Sequence, residues 1–184
     1  VKDCRGRIIV PPEYEDCLGE LSLVDQNSQY EMIIALKQDG KWGFVKRNPY
    51  LEQVVQFQYD LVENTMYGVY LTQIGDHYGI VGKLGTEILP TIMEEIYKPS
   101  MFEGDIIYKQ DGKYGFRMHN GCRSTELFDE VDLEKGEYIA VCRNGEWGYI
   151  DENAQFTAST ENALENIGFS FEKIDGRLVV DNFL

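Results

Sequence analysis

Two histidines, His77 and His119, are the only imidazoles in the chain, and each stands beside an expected turn in an unrelated context. Imidazole catalysis needs a nucleophile or an acid held next to the ring. No serine or cysteine lies in a nucleophile-elbow or papain-like setting, so both histidines read as surface residues. Carboxylates are far more numerous, with clusters at Glu94 and Glu95, at Asp129, Glu130, Asp132 and Glu134, and at Asp151 and Glu152. Acid and base chemistry of the glycosidase kind would need two of them facing across a cleft, which linear spacing does not supply. The cluster around Asp129 has the charge for Ca²⁺ but lacks the DxDxDG loop and its spaced oxygen ligands, which favours a solvated acidic edge. Residues 82–85 (GKLG) lack the GxxxxGK[ST] spacing of a phosphate-cradling loop. Cys4, Cys17, Cys122 and Cys142 form no CxxC pair and no metal-ligand spacing. Buried free thiols are expected, with a Cys4–Cys17 bridge across the first partial repeat as the alternative that would suit an exported protein. No metal, cofactor or catalytic residue is expected.

Aromatic residues offer a different chemistry, since exposed rings can stack on sugars. Trp42, Tyr78, Tyr114 and Trp147 are the candidates, and each immediately precedes a glycine: Gly43, Gly79, Gly115 and Gly148. The glycines lie 36, 36 and 33 residues apart, so the four dipeptides mark repeats of one unit. The segments IIALKQDGKWGFVKRN, VYLTQIGDHYGIVGKLG, IIYKQDGKYGFRMHNG and IAVCRNGEWGYIDEN superpose on them. The same aromatic positions border apolar pairs, which makes structural spacing between stacked hairpins the leading reading and a ligand row the runner-up.

The elements that place these residues follow from the turns. Asp39-Gly40, Gly75-Asp76, Asp111-Gly112 and Asn144-Gly145 are two-residue turns of the kinds that require positive φ. Counting outward sets Lys37, Gln73, Lys109 and Cys142 opposite the aromatic residue, and Leu36, Thr72, Tyr108 and Val141 opposite the glycine. A repeated strand glycine suggests a bulky neighbour crossing the backbone there. Apolar residues fall on both faces of each hairpin, for example Ala35 with Phe44 and Leu36 with Val45, so a single hairpin cannot bury its own apolar surface. Stacked neighbours can. A second turn and a further short extended stretch follow each hairpin, ending in a large apolar residue and an acid: Tyr59-Asp60, Met93-Glu94 and Phe128-Asp129. The expected unit is a three-stranded antiparallel meander with a connection.

These considerations predict an all-β fold of tandem three-stranded hairpin repeats in a curved or superhelical array, with a propeller-like ring as the alternative. The repeats fall at about 31–66, 67–103, 104–136 and 137–168, preceded by a partial repeat in 1–30, all within a single repeat domain over 1–184. Tyr14 and Glu15 match the aromatic-acid pair in that partial repeat. A degenerate hairpin over 169–184 turns at Asp175-Gly176 but carries Leu178-Val179 in place of the aromatic and glycine, as a closing cap would. One short helix is expected at 160–167, capped by Ser159 and stopped by Gly168.

DGKWGF, DGKYGF and NGEWGYID resemble the WG (KWG) β-repeat family of bacterial proteins, over residues 6 to about 156. The resemblance implies tandem arrays used for binding or protein interaction, several of them in proteins with export signals, leaves an exported and a cytoplasmic location both open, and brings no catalytic residues. Tyr78 and Tyr114 in place of Trp, the inverted Gly75-Asp76 turn and Met93-Glu94 depart from the pattern.

Charge narrows the partner. With 32 acidic and 17 basic residues the net charge is −15, and no Lys/Arg cluster exists to hold phosphates or an anionic leaflet, so nucleic acid is not expected as a partner. No apolar run approaches the ~20 residues of a membrane span, and no membrane insertion is expected. The chain opens at Val1 inside an incomplete repeat, so sequence upstream of it is expected. A monomeric, non-catalytic module that binds another protein is the expected function. A glycan or cell-envelope ligand is the alternative, and a hydrolase using paired carboxylates comes third.

Overall fold

The computed structural model describes residues 10–18, 33–48, 50–65, 69–82, 84–97, 105–132, 139–159, 171–174 and 177–180. The turns set the fold. Asp39 and Gly40, Asp111 and Gly112, and Asn144 and Gly145 all hold positive φ, from 52° to 80°, as a type I′ turn requires; at Gly75-Asp76 only Gly75 does, at 57°, as in type II′. Strand pairing then runs outward in one register: Lys37 faces Trp42 and Leu36 faces Gly43, and the corresponding pairs recur around the other three turns. Asp175 and Gly176 lie outside the described residues, as does the helix expected at 160–167. Among the described residues there is no helix, and none therefore that could cross a membrane.

Every sheet is antiparallel, and none closes into a barrel. β1 (Asp16–Leu18), β2 (Ile33–Gln38), β3 (Lys41–Asn48) and β4 (Tyr50–Tyr59) form the first, in that order. β5 (Leu61–Asn64), β6 (Tyr70–Ile74), β7 (His77–Val81) and β8 (Glu87–Met93) form the second. The third contains β9 (Glu95–Tyr97), β10 (Ile106–Gln110) and β11 (Lys113–Arg117), extended by the bridges Tyr114–Phe128 and Arg117–Arg123. β12 (Glu130–Asp132), β13 (Ile139–Arg143), β14 (Glu146–Ile150) and β15 (Phe156–Ala158) form the fourth, and β16 (Phe171–Ile174) pairs with β17 (Arg177–Val180).

In three of the four sheets the unit is thus one strand larger than the three-stranded meander expected from sequence, and the third has three strands extended by isolated bridges. β1, β5, β9 and β12, each directly after an aromatic-acid type pair, add a first strand to the hairpin that follows. These strands are only three or four residues long, too short for a period-2 pattern to declare itself, which is why they read as connection.

Two compact units divide the chain, 1–93 and 94–184, and the cut falls between Met93 and Glu94. In residues 1–93, Ile33, Ala35, Trp42, Phe44 and Tyr59 on the aromatic face of the first sheet pack on Val62, Tyr70 and Val81 of the second. Pairing puts those three on the face that carries Gly79. In residues 94–184 the same arrangement recurs, with Phe116 and Phe128 of the third sheet against Val141 and Ile150 on the Gly148 face of the fourth. Val10 and Tyr14 cover Ile34, Leu36 and Val45 on the Gly43 face of the first sheet. An aromatic face laid on a glycine face is therefore the packing rule within each unit.

Candidate functional site

Glycine in mid-strand forfeits side-chain packing, so its recurrence must make room for something. A Cβ on Gly43 would lie 2.9 Å from the Phe57 ring and 3.0 Å from the Phe57 Cα. On Gly79 it would lie 2.7 Å from the Thr91 Cα. Both sit where the ladder to the next strand shifts register, so that β4 and β8 bulge across the glycine. In the fourth sheet the Phe156 ring fills the space beside Gly148, and in the third the ring of Tyr108, the cross-strand partner, lies on Gly115. Rings cover three of the four glycines. Over Gly79 the cover is polar: Thr91 Oγ1 lies 3.0 Å from Thr72 Oγ1, in a pair that buries Thr72 completely.

The aromatic residues that precede these glycines are committed to packing to different degrees. Trp42 is buried, at 9 % exposure, opposite Tyr59. Tyr78, Tyr114 and Trp147 are half-buried. The Tyr114 ring lies tilted against that of Tyr97 with ring centres 5.9 Å apart, and Lys109 Nζ lies 5.6 Å from its ring centre. Tyr97 donates to Glu95 Oε2 at 2.9 Å. Burial, then the hydrogen bonds with Tyr114 and Glu95, push the Tyr97 phenol well above its ordinary pKa.

One set of contacts recurs around all four described turns. The backbone N–H of Glu15, Asp60, Glu94 and Asp129 donates, at 2.8 Å in each case, to the carbonyl of Lys37, Gln73, Lys109 and Cys142, the residue opposite the signature aromatic. The carboxylate of the same acid accepts a backbone N–H of the turn. Glu15 Oε1 takes Gly40 N at 3.0 Å and Glu94 Oε1 takes Gly112 N at 3.1 Å, whereas Asp60 Oδ2 takes Gly75 N at 2.8 Å and Asp129 Oδ2 takes Asn144 N at 2.7 Å. Glutamate reaches the second turn residue and aspartate the first, as a difference of one methylene dictates. Two of these acids also hold the sheet they follow: Asp60 pairs with Lys41, and Asp129 with Lys113 at 2.8 Å. Each such carboxylate therefore joins the lysine after one turn to the backbone of the next.

Those contacts have an electrostatic signature. The lysine hydrogen bond and the turn N–H hold both Asp60 and Asp129 below the ordinary carboxylate value. Asp129, at the head of the acidic cluster considered for Ca²⁺, thus faces a lysine and an amide. Among the described residues no three His, Cys, Asp or Glu side chains are grouped to hold a metal ion. His119 presents Nδ1 to Asp105 Oδ1 at 3.1 Å while its backbone N–H donates to the same oxygen, and both side chains are solvated. Cys17, Cys122 and Cys142 are free thiols, so Cys17 forms no bridge; Cys4 lies outside the described residues.

Neither a family model nor a curated protein matches this chain. Its own geometry brings each turn together with the acid of the preceding aromatic-acid pair, a contact that sequence reasoning missed. The signal was present as an acid always following the large apolar residue, but its target lies 15 to 25 residues onward and is reached only once the intervening strands have paired.

Proposed function

We propose that the chain is a non-catalytic binding module of the WG-repeat kind, arranged as a curved or superhelical array, and that it engages another protein. The observation that carries this reading is the fourfold use of one hairpin, in one register, with an aspartate or glutamate on each of the four described turns. Such reuse of a unit serves an extended contact surface rather than a single reaction centre. A protein partner is supported by Val54, Leu61, Ile74, Leu84 and Ile92, large apolar side chains that all lie exposed in residues 1–93, since apolar groups left at the surface favour dry contact with another chain. The net charge of −15 adds long-range attraction for a basic partner.

A glycan ligand is the competing reading, favoured by the half-buried state of Tyr78, Tyr114 and Trp147. Acrylamide quenching separates the two. Binding a protein through the apolar side chains leaves the Trp147 accessibility unchanged on complex formation, and Leu84→Glu with Ile92→Glu abolishes capture. Retention on insoluble glycan that protects Trp147 and is lost in Trp147→Ala would overturn the protein reading.

A further inference from the structure

An open sheet edge invites a strand from another chain unless it is short, charged or interrupted by proline. Almost every edge among the described residues is blunted or taken up. The leading strands β1, β5, β9 and β12 have three or four residues, as do β15, β16 and β17. The outer edge of β11 meets the bridges to Phe128 and Arg123, and β8 carries Pro90. β4 is the exception. It runs ten residues, YLEQVVQFQY, with no proline, lysine or arginine and a single charge at Glu52. It is the last strand of its sheet, and among the described residues nothing pairs with its outer edge.

The second repeat shows what β4 lacks. Tyr59 opposes Trp42 as Met93 opposes Tyr78, and Val55 opposes Phe44 as Leu89 opposes Ile80, so Gln56 holds the place of Pro90. Pro11 holds it in the partial repeat, at the same spacing before Tyr14. A proline inside an edge strand shows that the ladder within the sheet does not need that N–H. Gln56 is exposed and keeps its N–H, which is left for a strand outside. Apolar side chains border the same stretch. Val54 is exposed, and a Cβ on Gly85 would lie 2.6 Å from its Cγ1, so exposed Leu84, next to Gly85 in the chain, stands beside it.

We infer that β4 receives an extended segment of a basic partner protein as a fifth strand of the first sheet. This rests on the protein-binding reading above and gives that partner its place and its chemistry. Main-chain hydrogen bonds to the open edge supply affinity, and side chains alternating along the added strand supply selectivity. Apolar ones cover Val54 and Leu84, and lysine or arginine meets Glu52 and Glu87, the latter just past Gly85. Both carboxylates are exposed, and the ion pairs of the described residues engage other acids. A second copy of the chain is disfavoured as the occupant. Each copy carries a net charge of −15, so two copies repel at long range.

The test uses the full chain and a labelled, end-blocked peptide of alternating valine and lysine, with a valine and glutamate counterpart as control. Fluorescence anisotropy reads binding, and amide hydrogen exchange reads where it occurs. Saturable binding of the lysine peptide with slowed exchange over residues 53–58 is expected. Gln56→Pro gives β4 the blunting residue of β8 and should weaken binding by about tenfold or more at an unchanged unfolding midpoint. N-methylation of alternate peptide amides removes the donors on one peptide edge without touching the protein, and on one of the two edges it should weaken binding as much. Should Gln56→Pro fail to fold, the methylated peptides decide alone. No binding of the lysine peptide, equal binding of the glutamate peptide, or binding indifferent to proline and methylation would overturn the inference. So would a chain that elutes as a dimer and becomes a monomer in Gln56→Pro, since a second copy would then occupy the edge. A partner whose capture is lost in Leu84→Glu with Ile92→Glu but kept in Gln56→Pro sinks the edge inference and leaves the protein-binding reading standing.

Discussion

At the scale of single residues, backbone-to-backbone proximity decides what is tolerated. The Thr91 Cα and N lie 2.7 and 2.8 Å from where a Gly79 Cβ would be, and neither can swing aside as a flexible side-chain end could. Gly79→Ala should therefore destabilise by about 1–3 kcal/mol, the usual cost of overpacking. Asp76→Ala, exposed in the adjacent turn, should stay within about 0.5 kcal/mol; urea midpoints at unchanged m-value make the comparison. The turn-binding acids call for a different test. Because aspartate reaches the first turn N–H and glutamate the second, Asp129→Glu should move its contact from Asn144 to Gly145 and keep the midpoint, whereas Asp129→Ala should lower it. Acid should act through the same groups. Asp60 and Asp129 titrate below the ordinary 3.8, so the folded state binds their protons more weakly than the unfolded chain does. Their contribution is complete above that ordinary value and is lost as pH falls through the depressed folded values. Unfolding midpoints measured from neutral pH down to about 2.5 should decline less steeply in the Asp60→Asn, Asp129→Asn double variant than in the native chain. An equal decline would assign the acid sensitivity to other carboxylates.

Elements were legible where a local cause suffices. The turn at Asp39-Gly40 fixes itself through two residues at φ 52° and 77°, and its register follows by counting, so β2 and β3 could be read off the chain. Gly40→Ala should cost about 1–2 kcal/mol by forcing a Cβ into the left-handed region, although space around Gly40 is open; Asp39→Asn should be neutral, because Asn tolerates that region well. Equilibrium denaturation of the two variants distinguishes strain from crowding. What the sequence hid depends on partners far along the chain. β5, LVEN, has one buried residue, Val62, and becomes a strand only because β6 offers an edge to it. The bulge that lays Phe57 over Gly43 needs β4 to lose register with β3, which no periodicity in VVQF announces. That Arg117 stands where the other sheets carry Val45, Val81 and Ile150 was readable in principle by aligning the repeats.

For the molecule as a whole, the packing rule predicts how damage should spread. Phe44 and Phe116 occupy equivalent places in the first and third sheets, and both are completely buried, each in the core of its own unit. Phe44 packs its ring 5.0 Å from Tyr70 of the following sheet, and the Phe128 ring beside Phe116 lies 5.8 Å from Phe156 of the sheet after it. Phe→Ala at such a site costs about 3–5 kcal/mol, a large share of what an ordinary domain has to lose. In the array proposed above, stability would come from each unit and from its neighbour, so the loss should be felt most where the cavity is made and fade along the chain. The two tryptophans report on this separately, since Trp42 belongs to residues 1–93 and Trp147 to 94–184. With Trp147→Phe as background, Phe44→Ala should lower the Trp42 fluorescence transition strongly and Phe116→Ala should lower it less. With Trp42→Phe as background, the order should reverse at Trp147. Transitions that move together by the same amount in both backgrounds would mean that the chain unfolds as one cooperative block, and the nearest-neighbour account of its stability would fail.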